Sequence, residues 1–260
     1  MKISLLFLLA ACVLLGAVHV HAQSFSYPNF DSVGGLVLNG SAAQGVPVPP
    51  ETSTVLRLMD GLGTHGQASS AWYQPQVPVA KGFTVEFEFN VNSCVGIGCA
   101  DGFAFVIQNS AAHTTALGGF GGYLGYSLAP GVAGIENSLA IEFDDFQNFT
   151  LDDPNANHVG AQSCGTAPNN ADHADCNLSL VSVLPITLSD GANHTVAISY
   201  IEGSPGSINT FIDGAPVMHT VVDLSTLLSL NAGKAYIGFT AGAGSGGQNA
   251  DILKWAFAIP

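Results

Sequence analysis

Between residues 141 and 158 the chain reads "IEFDDFQNFTLDDPNANH", which gathers Glu142, Asp144, Asp145, Asn148, Asp152, Asp153 and His158 into 18 residues. Side chains two apart on a β-strand share a face, so Glu142 and Asp144 point the same way if this segment is extended. Three kinds of chemistry compete for such a pair. A retaining glycoside hydrolase needs two carboxyl groups flanking the scissile bond, and the next position on that face is Phe146 rather than an acid. A metal site needs oxygen donors from carboxylates, amides and backbone carbonyls for a hard cation, and a neutral imidazole beside carboxylates for Mn²⁺ or another transition metal. One strand and one loop carrying Glu142, Asp144, Asn148, Asp153 and His158 can hold two ions with a shared carboxylate between them. A solvated acidic loop is the third reading, but clustered carboxylates repel one another unless a cation sits among them.

The rest of the chain has the period of strands. In "FTVEFEF", residues 83–89, Phe83, Val85, Phe87 and Phe89 alternate with Thr84, Glu86 and Glu88, the pattern of a half-buried strand. "GFAFVIQ", "SLAIEFDDF", "HTVAISYI", "SINTFIDG", "AYIGFTA" and "ILKWAFAI" read as further strands, separated by Gly, Pro and Asn/Asp clusters. Only "DLSTLLSL", 223–230, reads as helical. Short strands with glycine-rich turns and no alternation with helices predict an all-β, antiparallel two-sheet jelly-roll sandwich. No repeat, linker or second domain is visible.

Residues 1–22 read as a secretory signal: Lys2, an apolar run, then "HVHA" with Val20 and Ala22 before a cleavage point at Gln23. A single membrane anchor and a lipoprotein box at "LAAC" are the alternatives, and both need a different apolar run from this one. The remaining residues, 23–260, fit one large domain, and none of them forms a stretch long and apolar enough to span a membrane. Its fixed positive charges are Arg57, Lys81, Lys234 and Lys254 against 19 acids. That balance excludes a nucleic-acid partner, which needs a basic footprint, and disfavours an anionic membrane surface. Cys94, Cys99, Cys164 and Cys176 form an even set in a secreted chain. Local pairs, Cys94–Cys99 and Cys164–Cys176, are expected among three possible pairings, with a zinc site as the rival. Sequons stand at Asn39, Asn148, Asn177 and Asn193. "NNADHADC", 169–176, carries Asp172, His173 and Asp175, and reads as a polar loop closed by a disulfide or as a further metal site. His65, His113, His194 and His219 have no partners visible in the sequence and read as solvated or structural.

Taken together, "LRLMDGLGTHGQASSAWY", "ADGFAFVIQNS", "GGYLGYS", "ENSLAIEFDDFQN", "DDPNANHVG", "YIGFTAG" and "DILKWAFAI" resemble the legume-type (L-type) lectins, in that family's order and through nearly all of 23–260. The most specific mark is "EFDxFxN" followed by "DP" and then His. The resemblance implies that Glu142, Asp144, Asp153 and His158 hold a transition metal such as Mn²⁺. It implies that Asp144, the carbonyl of Phe146, Asn148 and Asp153 hold Ca²⁺, with Asp144 and Asp153 shared. Asp145 and Asp152 are then expected to be solvated neighbours. Beside the calcium the resemblance puts a sugar site. Its parts are Asp101 after a cis Ala100–Asp101 bond, the backbone N–H of Gly122, the ring of Phe146, the amide of Asn148, and backbone donors near Ser245 and Gly246. Asn148 would thereby be engaged rather than glycosylated.

The loop "AGAGSGGQNAD" resembles mannose/glucose-type members in length but departs from the family in being small and glycine-rich. The expectation is a secreted lectin that binds glycans or glycoproteins through a metal-organised site, performs no catalysis and gains avidity by multivalency, for instance as a homo-oligomer. The alternatives are a structural or adhesion module that has lost sugar binding, and a jelly-roll glycoside hydrolase.

Overall fold

The computed structural model describes residues 24–47, 54–62 and 66–260; the expected signal segment and His65 lie outside them. Two antiparallel sheets face each other, as the strand periodicity predicts. The front sheet runs in the order β11 (Asn177–Val181), β10 (His158–Gln162), β9 (Ser138–Asp144), β8 (Gly102–Gln108), β15 (Lys234–Ala243), β5 (Gln67–Tyr73) and β2 (Leu36–Gly40). A short β6 (Val77–Pro78) also joins β15. The back sheet runs β14 (Ala215–Val221), β13 (Ser207–Ile212), β12 (Asn193–Ile201), β7 (Phe83–Val95), β16 (Gly247–Ala258), β4 (Thr54–Met59) and β3 (Ala43–Pro47), with β1 (Phe25–Tyr27) on β16. The strand expected at 83–89 continues to Val95, and the expected helix shortens to one turn, α1 (Leu224–Leu227), capped by the Asp223 carboxylate accepting from the Ser225 N–H. Among the described residues no helix is long and apolar enough to cross a membrane.

The core between the sheets is aromatic. Phe87 and Phe89 of β7 meet Phe103, Phe143 and Phe239 of the front sheet. Phe103 and Phe143 are cross-strand partners whose rings stack at 5.0 Å. Such a pair contributes about 0.5–1.5 kcal/mol beyond its area burial. It also fixes the β8–β9 register, and a one-residue slip would send Glu142 and Asp144 into the core. Every residue of β8 and β9 is buried. Their second face is covered as well, because Trp72, Ala104, Val106, Leu124, Tyr126 and Ala140 form a smaller cluster beneath the loops outside the front sheet. That double burial explains why "GFAFVIQ" reads as a continuous apolar run rather than an alternating one.

The local disulfides form as expected, Cys94 with Cys99 and Cys164 with Cys176. His194 has partners that sequence could not show. It sits between Asp213, 2.7 Å from Nδ1, and Asp190, 3.1 Å from Nε2. Burial alone would lower its pKa, but the hydrogen bonds to those two carboxylates outweigh it and raise it. His219 lies 2.7 Å from the Asn209 side-chain oxygen, and His113 is exposed beside Tyr236. These three histidines have structural or surface settings away from the acidic stretch.

Candidate functional site

Strand register builds the acidic cluster. In β9, Glu142 and Asp144 alternate with core-facing Ile141 and Phe143, so both carboxylates point outward from the front sheet, beneath its covering loops. β10 lies antiparallel beside it, with His158 opposite Asp144 and Gly160 opposite Glu142. The chain between the strands folds back over this face through a one-turn 3-10 helix, 149–151, and brings Asp153 in. Among the described residues two groups of potential ligand atoms converge within 4.8 Å: Glu142, His158 and His173, and Asp144, Asp153 and His158.

The side chains of the cluster are held by hydrogen bonds from the protein itself. The Asp144 carboxylate accepts from the Phe146 N–H at 2.9 Å, and Asp153 accepts from the Asn148 N–H at 2.5 Å. Tyr126 donates its hydroxyl to Glu142. Nδ1 of His158 lies 2.8 Å from the Asn155 carbonyl oxygen. A proton on Nδ1 donated to that carbonyl leaves Nε2 bare and aimed at the cluster, as a ligating histidine requires. Burial, then the charges of Asp153 and Glu142, push the Asp144 carboxyl well above the usual carboxylate range. Burial holds His158 below its ordinary value. A cation among these groups would relieve the repulsion that raises Asp144.

The residues present fit such ions. The side-chain oxygen of Asn148 is buried and has no hydrogen-bond partner, although its nitrogen reaches Asp101 at 3.3 Å. An orphaned buried acceptor beside two carboxylates is what a bound Ca²⁺ would satisfy.

Next to the cluster lies a shallow second feature. The Ala100–Asp101 peptide bond is cis. Asp101 is almost fully buried and is gripped on both oxygens, by the Asn148 side chain and by the Gly244 N–H at 2.6 Å. Burial raises its pKa, and those two hydrogen bonds oppose the rise. Gly122, in the 3-10 turn Gly121–Tyr123, abuts Asn148 so closely that a Cβ there would stand 2.4 Å from the amide oxygen. Phe146 is half-buried. The loop between β15 and β16 is only three residues long. Ser245 is exposed at its tip, whereas Gly246 is buried against Gly98 and Ala100.

One expectation needs correction. Asp145 is not solvated: it is 5 % exposed, and burial, partly offset by a hydrogen bond from Gln248, pushes its carboxyl up to about 7. It lies just past the end of β9 and accepts from the Gln248 side chain of β16 at 3.2 Å. Asp152, by contrast, is exposed as expected. The loop "NNADHADC" is the expected polar loop closed by the Cys164–Cys176 disulfide rather than a separate metal site. Asp172 and Asp175 bond locally to the Ala174 N–H and to Asn170, and only His173 turns inward, onto Glu142 and Asp153.

Gly244, Tyr126 and Gly160 are site neighbours that sequence reasoning passed over, and His173, weighed only for a separate metal site, joins this one. A glycine inside the strand "HVGAQ" is a sign of close approach, and a Cβ on Gly160 would indeed lie 2.3 Å from Glu142 Oε1. Gly244 and Tyr126 are brought in by long-range folding and leave no local mark.

Comparison with known proteins gives the family and the fold. The legume lectin domain model matches residues 22–260. Lectin 8 of Medicago truncatula is 27% identical over 270 residues, covering 96% of this chain and 92% of its own length. The seed lectin beta chain of Spatholobus parviflorus is 26% identical, covering 86% of each. Among solved structures, a Bauhinia forficata lectin in complex with GalNAc superposes with a TM-score of 0.69 at 25% identity, covering 91% of this chain and 97% of its own. Peanut lectin shares the fold, with a TM-score of 0.70 at 24% identity and 90% and 96% coverage.

Proposed function

Since this chain belongs to the legume lectin family, we propose that it is a secreted lectin that binds glycans or glycoproteins at Asp101 and performs no catalysis. The observation that carries the reading is the pairing of Asp101 with Asn148, held at 3.3 Å beside the acidic cluster by Gly122 and by the Gly244 N–H. In the proposed site the Asp101 carboxylate accepts hydrogen bonds from two sugar hydroxyls, and the Gly122 N–H and Asn148 amide donate. The Phe146 ring covers the apolar face of the sugar. Ser245 and Gly246 supply backbone donors at the rim, with Ser245 the exposed one of the two. Glu142, Asp144, Asp153 and His158 would hold a transition metal. Asp144, the Phe146 carbonyl, Asn148 and Asp153 would hold Ca²⁺. The ions supply no chemistry beyond fixing the loop that carries Asn148.

Two observations weigh against hydrolysis. Glu142 is 1% exposed and engaged by Tyr126, so it does not face an open cleft. Phe146 stands where a third carboxylate would be needed. Secretion is proposed from the expected leader and is supported by the two disulfides, which belong to oxidising compartments. A glycan is proposed at the exposed Asn177, whereas the Asn193 amide nitrogen donates to Glu88 at 3.0 Å. The amide nitrogens of Asn39 and Asn148 are already engaged, by Ser70 and Thr114 and by Asp101. The proposed preference for mannose/glucose-type sugars rests on the resemblance in length of "AGAGSGGQNAD" to such members of the family. A shallow site whose hydroxyl partners must shed water gives weak monosaccharide affinity, so useful avidity requires several sites on one particle.

A glycan array probed with wild type and Asp101→Ala tests the proposal. Wild type is expected to bind a mannose- or glucose-bearing subset, and Asp101→Ala nothing. Each lost hydrogen bond to a charged group is worth about 1.5–3 kcal/mol, and two of them amount to roughly 150-fold or more. Binding by neither protein favours the sugar-blind module, and equal binding by both places the sugar elsewhere.

A further inference from the structure

We propose that His173 is a further protein ligand of the transition-metal site, giving a two-imidazole centre that prefers Zn²⁺ over Mn²⁺. The inference rests on the metal site proposed above and deepens it. Nε2 of His173 lies 3.1 Å from Nε2 of His158, 3.3 Å from Oε1 of Glu142 and 3.5 Å from Oδ1 of Asp153. Donors about 2.1 Å from one ion and at right angles to each other stand about 3.0 Å apart. The three separations therefore describe neighbouring corners of a single coordination shell, too close for a second centre.

The position is built rather than incidental. The His173 side chain is 4% exposed. Its backbone N–H donates to the Leu151 carbonyl at 3.0 Å, on the same loop that delivers Asp153. The Cys164–Cys176 disulfide closes the segment that carries it. Gly160 clears the space, since a Cβ there would meet both Glu142 Oε1 at 2.3 Å and the His173 ring at 3.2 Å.

Gln162 supplies the partner that a ligating histidine needs on its other nitrogen. Its amide nitrogen is 2.6 Å from His173 Nδ1, while its amide oxygen is buried with no hydrogen-bond partner. In this arrangement Nε2 carries the proton and donates into the cluster. When the amide turns over, its oxygen accepts the proton on Nδ1 and Nε2 is left bare for a cation. The resulting donor set has two imidazoles among carboxylates, and imidazole favours zinc where carboxylate and water favour manganese.

The test uses the full secreted chain, stripped of metal and titrated with Zn²⁺ and with Mn²⁺ against a chromophoric chelator. It compares wild type with His173→Ala and His173→Gln. X-ray absorption on the zinc-loaded wild type counts the imidazoles. The expected result is two imidazoles in wild type, and a loss of about tenfold or more in zinc affinity in His173→Ala. The manganese affinity should fall less, so the preference for zinc narrows. Unchanged zinc affinity and preference in His173→Ala, or a single imidazole in the wild-type spectrum, overturns the proposal. If the variants do not fold, the wild-type imidazole count decides alone. Wild type that binds neither ion sinks the metal site itself, which is a different failure from a one-imidazole centre.

Discussion

Asp153→Ala is expected to lose both ions and all detectable glycan binding while keeping the sandwich. Asp153 is the residue on which the two halves of the site meet. One carboxylate oxygen lies 3.5 Å from His173 Nε2, and the other accepts from the Asn148 backbone at 2.5 Å. Its removal takes a shared ligand from each proposed ion and releases the loop that presents Asn148 to Asp101. None of this reaches the aromatic core, whose rings lie on the opposite face of β9. Alanine should moreover relieve charge repulsion in the metal-free protein, because Asp153 is the main charged neighbour raising Asp144. The metal-free variant is therefore expected to melt at or slightly above the temperature of metal-free wild type. It should gain little from added Ca²⁺, whereas wild type gains in proportion to ligand occupancy. Thermal melts with and without Ca²⁺, paired with a glycan-binding assay, check both halves.

Gly122→Ala is the second large effect, and it should separate binding from folding. The new Cβ would stand 2.4 Å from the Asn148 amide oxygen and 2.5 Å from its amide carbon. Those atoms end a short side chain rather than a backbone, so Asn148 yields before the fold does. Displaced, the amide can neither bond Asp101 nor offer its oxygen to Ca²⁺. The methyl group also occupies the approach to the Gly122 N–H. Two neutral sugar hydrogen bonds are lost, about 1–3 kcal/mol together, which corresponds to roughly 5- to 150-fold in affinity. Little change in the metal-free melting temperature is expected. Calorimetric titration with the best array glycan measures the loss, and binding within a few-fold of wild type would show that Asn148 and Gly122 do not face the sugar.

The sandwich was legible because its strands carry period-two patterning and its turns carry glycine and Asx residues. β8 was found at its true limits, 102–108, because apolar residues of both parities mark a strand buried on two faces. The convergence of Glu142, Asp144, Asp153 and His158 was legible because one strand, one loop and the start of the next strand hold all four within 17 residues. What sequence hid was arranged by tertiary contact. Asp145 looked like its solvated neighbours, but the folded chain buries it against Gln248, 103 residues away. The Gly244 N–H reaches Asp101 across 143 residues, through the pairing of β15 with β8. His173 lies in a loop that reads as polar and self-contained, and only the folded chain shows its ring meeting Glu142.

The account's central claim is that metal ions hold the loop that makes the sugar site. The direct measurement is titration of wild type with its array-selected glycan in three states: loaded with Ca²⁺ and a transition metal, stripped, and reloaded. Stripping uses a chelator at about pH 4, where protons compete for carboxylates and for His158, followed by return to neutral pH. Binding is expected in the first state, absent in the second and restored in the third. Unchanged glycan affinity in the fully stripped protein would contradict the account.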